Sequence, residues 1–257
     1  MAVMGVLVIV GLVLVVRFGA AEYVPDEPTS LGEAALGAPV DVRPVAVRYL
    51  RGVAAGLVGG FWTGALITGP AIRLIMRLLA VTAGDDAQGR VTEAEEVVGD
   101  ISLGGTIGLY IFGGLLIGVV SGVLYILVRR WLPGGRLGGV AFGVLLLLIF
   151  ATRADPLRPD NPDFDLVGPG WLGVLTFGLA TIVHGVAVAS IANRYSALLH
   201  AGGSDARARR WVVGPLVPPA LLLGLVFPVL ILLAVGLGAT VVASQVPPMM
   251  RAVRAAS

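Results

Sequence analysis

The chain has 257 residues, of which 57% are hydrophobic and only 13% are charged, and its mean hydropathy is +0.94. A soluble domain has about 25% charged residues and uses them to cover its surface, so this composition excludes an ordinary soluble fold and indicates an integral membrane protein. The formal net charge is only +2. No basic run is interleaved with aromatic residues, so we expect no nucleic-acid partner. Cysteine is absent, which excludes disulfides and thiolate chemistry.

Six apolar segments approach the roughly 20 residues that a helix needs to cross a bilayer. In chain order they cover about residues 2–16, 52–69, 101–128, 137–151, 170–192 and 217–243. The first lacks a basic region before it, and FGAAEYVP after it is a poor cleavage context, so we expect a retained helix rather than a signal peptide. The sequence predicts an all-α integral membrane protein. We expect residues 1–257 to form one glycine-rich bundle of about six transmembrane helices.

The last apolar segment, within residues 212–246, leaves two alternatives open. It is long for one crossing, and four prolines interrupt it, each of which removes a backbone donor. The favoured interpretation is a single helix kinked at Pro228. The other is a hairpin of two half-helices, which would raise the number of crossings to seven.

Charged residues in the connections predict the orientation. Arginines cluster in three connections, at about 17–51, 129–136 and 194–210, whereas acidic residues cluster in two others, at about 85–100 and 155–165. Cytoplasmic loops of membrane proteins carry an excess of arginine and lysine. We therefore expect a multi-pass protein of the bacterial cytoplasmic membrane with its N-terminus outside.

Two arginines follow the second apolar segment in GPAIRLIMRLLAV, residues 69–81. Gly69 and Pro70 predict a break in the helix, after which Arg73 and Arg77 share one face of a helical turn. The favoured interpretation is an anchor at the membrane surface, with both guanidinium groups toward water and headgroups. In the alternative, the helix continues past Pro70 and both arginines point into the bundle, where such charges mark anion or substrate paths.

Glycines recur four residues apart within several apolar segments. These stripes are 52/56/60/64, 104/108, 114/118/122 and 139/143. Small residues at this spacing let helix backbones approach closely in lipid, so they predict tight helix packing. The pattern GGxxxG at 59–64 recurs at 113–118, which would fit an inverted repeat, although a chain with 37 glycines produces such matches by chance.

His184 lies near the middle of the fifth segment, with Thr181 and Phe177 on its face. A histidine at this depth is a candidate for proton relay, substrate contact or metal ligation. The favoured interpretation is a neutral imidazole that bonds a carbonyl or hydroxyl group of a neighbouring helix. A haem needs two axial ligands, and the only other histidine is His200, in a basic connection. We therefore expect no cofactor and no metal site.

Three stretches carry a resemblance: GPAIRLIMRLL, GGTIGLYIFGGLLIGVVSGVLYILVRRWLP and NPDFDLVGPGWLGVLTFG. They resemble a group of uncharacterised multi-pass membrane proteins of high-GC bacteria, over roughly residues 50–195. The resemblance supports the topology and implies no activity, substrate or functional residue.

The sequence contains no catalytic, metal or nucleotide motif, so function is a choice between broad classes. The favoured class is a structural or accessory subunit of a membrane assembly, whose partners would be the lipid bilayer and other membrane subunits or copies of itself. The alternative is a small-solute or ion transporter or channel with a cavity near His184, in which Arg73 and Arg77 would line the path. A membrane-embedded enzyme needs paired titratable groups at one depth, and the sequence offers none, so we expect no enzymatic activity.

Overall fold

The computed structural model describes residues 2–18, 43–92, 95–151, 163–201 and 206–225. Within these residues the chain is helical apart from turns and one isolated bridge between Val91 and Val97, which confirms the predicted all-α class. The contacts divide the chain into a unit of residues 1–216 and a unit of residues 217–257. Of the second unit only 217–225 are described, and they are helical.

Nine α-helices and two π-helical segments account for most of the described part of the first unit. The α-helices are α1 (Ala2–Phe18), α2 (Arg43–Thr63), α3 (Gly69–Thr82), α4 (Leu103–Leu109), α5 (Ile117–Val128), α6 (Gly135–Phe150), α7 (Asp163–Leu166), α8 (Gly170–Ala201) and α9 (Ala206–Val213). The first π-helical segment, Gly64–Thr68, joins α2 to α3, and the second, Tyr110–Leu116, joins α4 to α5. Short 3-10 turns follow α3, α5 and α9.

Three of the described helices are long and apolar enough to cross a membrane: Tyr49–Thr82, Leu103–Trp131 and Gly170–Ala201. Helices α1 and α6 are apolar but shorter, at 17 and 16 residues. The question of a kink or a hairpin at Pro228 lies outside the described residues. So do the FGAAEYVP stretch beyond Phe18 and the residues 152–162 of the second acidic connection.

The predicted helix break at Gly69 and Pro70 is wrong. The helix continues through this point to Thr82, because the first π-helical segment makes a wider turn there. The Gly69 N–H donates to the carbonyl of Gly64, five residues back. Pro70 then occupies the first turn of α3, where its missing N–H leaves no helical bond broken. The helix that contains the fifth segment, α8, continues beyond residue 192 to Ala201.

Glycine stripes join two pairs of antiparallel helices at backbone contact. Along α2 and α5, Gly56 faces Gly122, Gly60 faces Gly118 and Gly64 faces Gly114; a Cβ atom added at Gly56 would lie 2.7 Å from the Gly122 carbonyl oxygen. We call this contact the first glycine seam. The two GGxxxG copies therefore pack against each other, whether or not they derive from a repeat.

A second glycine seam joins α6 to α8. A Cβ atom at Gly139 or Gly143 would lie 2.7 Å from the Cα of Val186 or Ile182, respectively. The tight packing predicted from the stripes 114/118/122 and 139/143, and from positions 56, 60 and 64 of the first stripe, is thus present. The 104/108 pair differs, because neither glycine has a described atom within 4 Å of its added Cβ.

The first unit has two ends that differ in charge. The acidic end holds the end of α3, the beginning of α4, the end of α6 and the beginning of α8, together with the acidic residues of segment 85–100. The basic end holds the turn from α5 to α6 with Arg129, Arg130 and Arg136. The largest buried cluster of the described residues, which includes Tyr125, Phe142 and Val188, packs α5, α6 and α8 together.

Candidate functional site

A cavity of about 700 Å³ occupies the acidic half of the first unit. Its walls come from α3, the second π-helical segment, α5, the last turns of α6 and the first half of α8, and the segment 96–101 lies at its acidic end. Most lining side chains are apolar, among them Ile72, Leu116, Val120, Leu146 and Phe177. The volume falls within the range of about 300–1,000 Å³ that is typical of small-molecule sites.

His184 forms the floor of this cavity with two hydroxyl side chains from other helices. Its Nδ1 lies 2.6 Å from Thr68 Oγ1, and its Nε2 lies 2.7 Å from Ser121 Oγ. Only 3% of His184 and 4% of Ser121 are exposed. The histidine therefore ties together α8, α5 and the first π-helical segment near mid-length.

The hydrogen-bond network indicates which ring nitrogen carries the proton. Ser121 donates to the carbonyl of Gly118 in its own helix at 2.8 Å, so its oxygen is free to accept from His184 Nε2–H. Nδ1 then accepts from the hydroxyl of Thr68, whose other acceptor, the Thr63 carbonyl, lies farther away at 3.4 Å. In this arrangement a neutral imidazole with its proton on Nε2 is satisfied at both nitrogens.

A serine that touches a histidine is also the pairing of a nucleophile and its base. Two features of the floor oppose that chemistry. The hydroxyl hydrogen of Ser121 points to the Gly118 carbonyl rather than to the imidazole. The group on Nδ1 is the neutral hydroxyl of Thr68, which cannot stabilise an imidazolium as a carboxylate does. The contact between Ser121 and His184 thus resembles a structural hydrogen bond more than a catalytic pair.

Both arginines of α3 line the same cavity. Arg77 donates from Nη1 to the backbone carbonyl of Gly99 at 3.0 Å, and so holds the acidic segment against α3. In Arg73, Nε and Nη2 are buried and have no hydrogen-bond partner among the residues that the structure describes. Nε and Nη2 of Arg73 are thus enclosed rather than directed to water, which favours the alternative interpretation in which this arginine points into the bundle.

An enclosed guanidinium without a partner is energetically costly. Burying an uncompensated charge costs several kcal/mol, so such groups normally find a counter-charge or a ligand. Glu96 and Asp100 line the acidic end of the cavity, yet neither is hydrogen-bonded to Arg73. The site therefore presents two buried guanidinium nitrogens that no described residue hydrogen-bonds.

The cavity also reaches the lateral surface of the bundle. Ile117 and Val120 line it and yet are 52% and 55% exposed, whereas Ser121, next in sequence, is almost fully buried. Deeper in the bundle, the rings of Tyr125 and Phe142 meet at 5.2 Å and join α5 to α6. The wall formed by α5 is thus open to its surroundings at about the depth of His184.

The three residues predicted as candidates, His184, Arg73 and Arg77, come together around one cavity. Sequence reasoning did not place Thr68 and Ser121, two hydroxyl residues within the predicted apolar segments, at the site. It did not pair them with His184, from which they are 116 and 63 residues distant. The one available signal was that both are hydroxyl residues within long apolar segments.

Comparison with known proteins adds no relative to this description. No protein-family model matches the chain, and neither the curated proteins nor the solved structures include a significant match. The function must therefore be argued from the site itself.

Proposed function

We propose that the chain is a multi-pass protein of the bacterial cytoplasmic membrane, with about six crossings and its N-terminus outside. The three long apolar helices support insertion in a membrane. The separation of an acidic end from a basic end supports the orientation, since basic loops stay in the cytoplasm.

The absence of cysteine makes this orientation directly testable, because every introduced cysteine is unique. Asp86→Cys lies in the exposed acidic segment and Gly134→Cys in the exposed basic turn. A membrane-impermeant maleimide added to intact cells should label the first variant only. Labelling of Gly134→Cys alone would reverse the proposed orientation.

We further propose that the protein is a small-solute transporter that admits its solute to the cavity above His184. One observation carries this proposal: His184, Arg73 and Arg77 all line a single cavity of about 700 Å³. The segment 96–101 lies at the acidic end of the cavity, and the glycine contacts Gly56–Gly122 and Gly139–Val186 lie on the basic side of Ser121 and His184. Such a site is accessible from one side of the membrane. Release of the solute to the other side would require the glycine seams to separate.

A second candidate is the accessory subunit that the sequence favoured. The specific observation behind it is the open stripe of Gly104 and Gly108, beside the exposed side chains of Leu103 and Ile107. Small residues on an exposed apolar face let a second helix approach closely. Extraction of the protein in mild detergent distinguishes the two candidates, because a stoichiometric partner subunit would favour this one.

The experiment that tests the transport proposal compares two adjacent positions on α5. Val120 lines the cavity and is 55% exposed, whereas Val119 is 5% exposed. We expect a small maleimide to modify Val120→Cys in membranes and to leave Val119→Cys unmodified. Equal protection of both positions would mean that the cavity is not accessible and would contradict the proposal.

A further inference from the structure

We propose that the solute is an anionic amphiphile, with an oxyanion head held by Arg73 and an aliphatic chain in the apolar part of the cavity. This inference rests on the transport proposal above and names its substrate class. Three features of the site support it: the unpartnered edge of the Arg73 guanidinium, the lateral opening beside α5, and the closed polar floor.

The head group follows from the two free nitrogens of Arg73. Nε and Nη2 lie on one edge of the guanidinium plane, and their N–H bonds point in the same direction. This edge can hold two oxygens of a carboxylate or phosphate group by parallel hydrogen bonds. An oxyanion would therefore satisfy both buried nitrogens and neutralise the charge in one contact.

Arg77 has a different role from Arg73, although it lies one turn away on the same face of α3. Its Nη1 already bonds to the Gly99 carbonyl. We assign Arg77 to holding the acidic segment in place and Arg73 to holding the ligand. The two arginines thus form a matched pair for mutation, with equal charge, the same helix and different roles.

The aliphatic chain follows from the route into the cavity. A hydrophilic anion that arrives from water at the acidic end would meet Glu96 and Asp100, whose charges repel it. A molecule dissolved in the bilayer would instead enter beside Ile117 and Val120, which are apolar and exposed. The favoured solute therefore comes from the lipid phase and carries a chain that can remain there.

The floor of the cavity is compatible with such a chain. Both nitrogens of His184 already have partners, Thr68 and Ser121, so an apolar group can cover the floor without leaving a polar atom unsatisfied. Arg73 is five residues beyond Thr68 on a continuous helix, which corresponds to roughly 7.5 Å along the axis. The space between head group and floor is lined by Ile72, Leu116 and Phe177.

Photocrosslinking of the full chain in phosphatidylcholine nanodiscs tests this proposal. The probe is a palmitate analogue with a diazirine on its chain, and the crosslinked peptides are mapped by mass spectrometry. We expect crosslinks on α5 and on the first half of α8, and competition by unlabelled palmitate and by hexadecyl phosphate. Which of these two competes better identifies the head group as carboxylate or phosphate. Hexadecanol and acetate should compete poorly, because each lacks one half of the amphiphile.

Variants of Arg73 and Arg77 test whether Arg73 binds the head group. We expect Arg73→Gln to weaken palmitate binding roughly 10- to 100-fold, as expected for losing a charge-assisted hydrogen-bond pair. Arg77→Gln should weaken it less than Arg73→Gln, because Arg77 Nη1 already donates to the Gly99 carbonyl. Arg90→Gln is the control that should change binding by less than about threefold, because Arg90 is exposed and does not line the cavity. Arg73→Lys keeps the charge but loses the parallel donors, so its binding should lie between those of Arg73→Gln and the unmodified chain.

Several results would overturn the proposal. Equal competition by hexadecanol, or no effect of Arg73→Gln, would show that Arg73 does not bind a head group. Competition by acetate or inorganic phosphate as strong as that by palmitate would identify a hydrophilic anion instead. No crosslink in a chain whose Val120→Cys variant reacts with maleimide would reject the amphiphile and leave the transport proposal standing. Failure of both assays would reject the transport proposal as well.

Discussion

The two halves of the first unit use the same helices in different ways. Toward the basic end, α2 meets α5 and α6 meets α8 along glycine seams, with backbones in direct contact. Toward the acidic end, the continuations of these helices separate around a cavity lined by large side chains such as Met76, Leu116 and Phe150. The two regions overlap along α5, where Gly118 and Gly122 face α2 while Ile117, Val120 and Leu124 line the cavity. The size of the side chains on each helix face thus coincides with a closed seam or an open cavity.

The two π-helical segments lie at the boundary between these halves. Gly64–Thr68 and Tyr110–Leu116 pack against each other, and each inserts a wider turn into an otherwise α-helical span. A wider turn rotates all following residues around the helix axis, and π-helical turns are frequent at functional sites. The first one directs Thr68 to His184 and places Arg73 in the cavity wall.

The largest expected effect comes from breaking the first glycine seam. Gly60→Leu would place a side chain against the Gly118 carbonyl, and such overpacking costs about 1–3 kcal/mol or more. Gly104→Leu is the matched control, since nothing described lies within 4 Å of its added Cβ. We expect a large loss of thermal stability in detergent for the first variant and almost none for the second. Equal stability of both would show that the seam is not tightly packed.

The second-largest effect on stability is expected at the floor of the cavity, which His184, Thr68 and Ser121 form. His184→Ala removes a partner from both Thr68 and Ser121, which should cost about 1–3 kcal/mol in unfolding free energy. The triple variant with His184→Leu, Thr68→Val and Ser121→Ala removes all the polar groups together and should recover much of that loss. Thermal unfolding of the single and triple variants measures the difference. A triple variant less stable than His184→Ala would contradict the proposed network.

A smaller effect separates the two arginines. Arg77→Gln removes the donor to the Gly99 carbonyl, which should weaken the attachment of the acidic segment by about 1 kcal/mol. Hydrogen–deuterium exchange in residues 95–101 should then increase, whereas Arg73→Gln should leave it unchanged. The same increase in both variants would mean that Arg73 also holds this segment.

The smallest expected effect is an absence of reaction at Ser121. A fluorophosphonate, which labels activated serines, should not modify the chain, because the Ser121 hydroxyl donates to Gly118 and its histidine is oriented by a neutral threonine. The adduct is measured by mass spectrometry. An adduct that disappears in Ser121→Ala would identify a nucleophile and revive the hypothesis of a membrane enzyme.

The sequence predicted local features better than distant pairings. The four-residue glycine spacing predicted tight packing because helix geometry alone places such residues on one face. It could not specify that 56/60/64 would meet 114/118/122 while 104/108 would stay open. His184 was a candidate because of its depth in an apolar span, but its partners depend on how three helices assemble. The break at Pro70 was mispredicted because propensity does not reveal a π-helical turn.

The measurement that tests the central comparison most directly uses two positions on one face of α8. Ala180 lies one turn before His184 and lines the cavity; Val188 lies one turn after it and is 0% exposed. In membranes, we expect a maleimide to modify Ala180→Cys readily and Val188→Cys very slowly. That result would place the boundary between the open and closed halves at His184. Similar rates at both positions would contradict it.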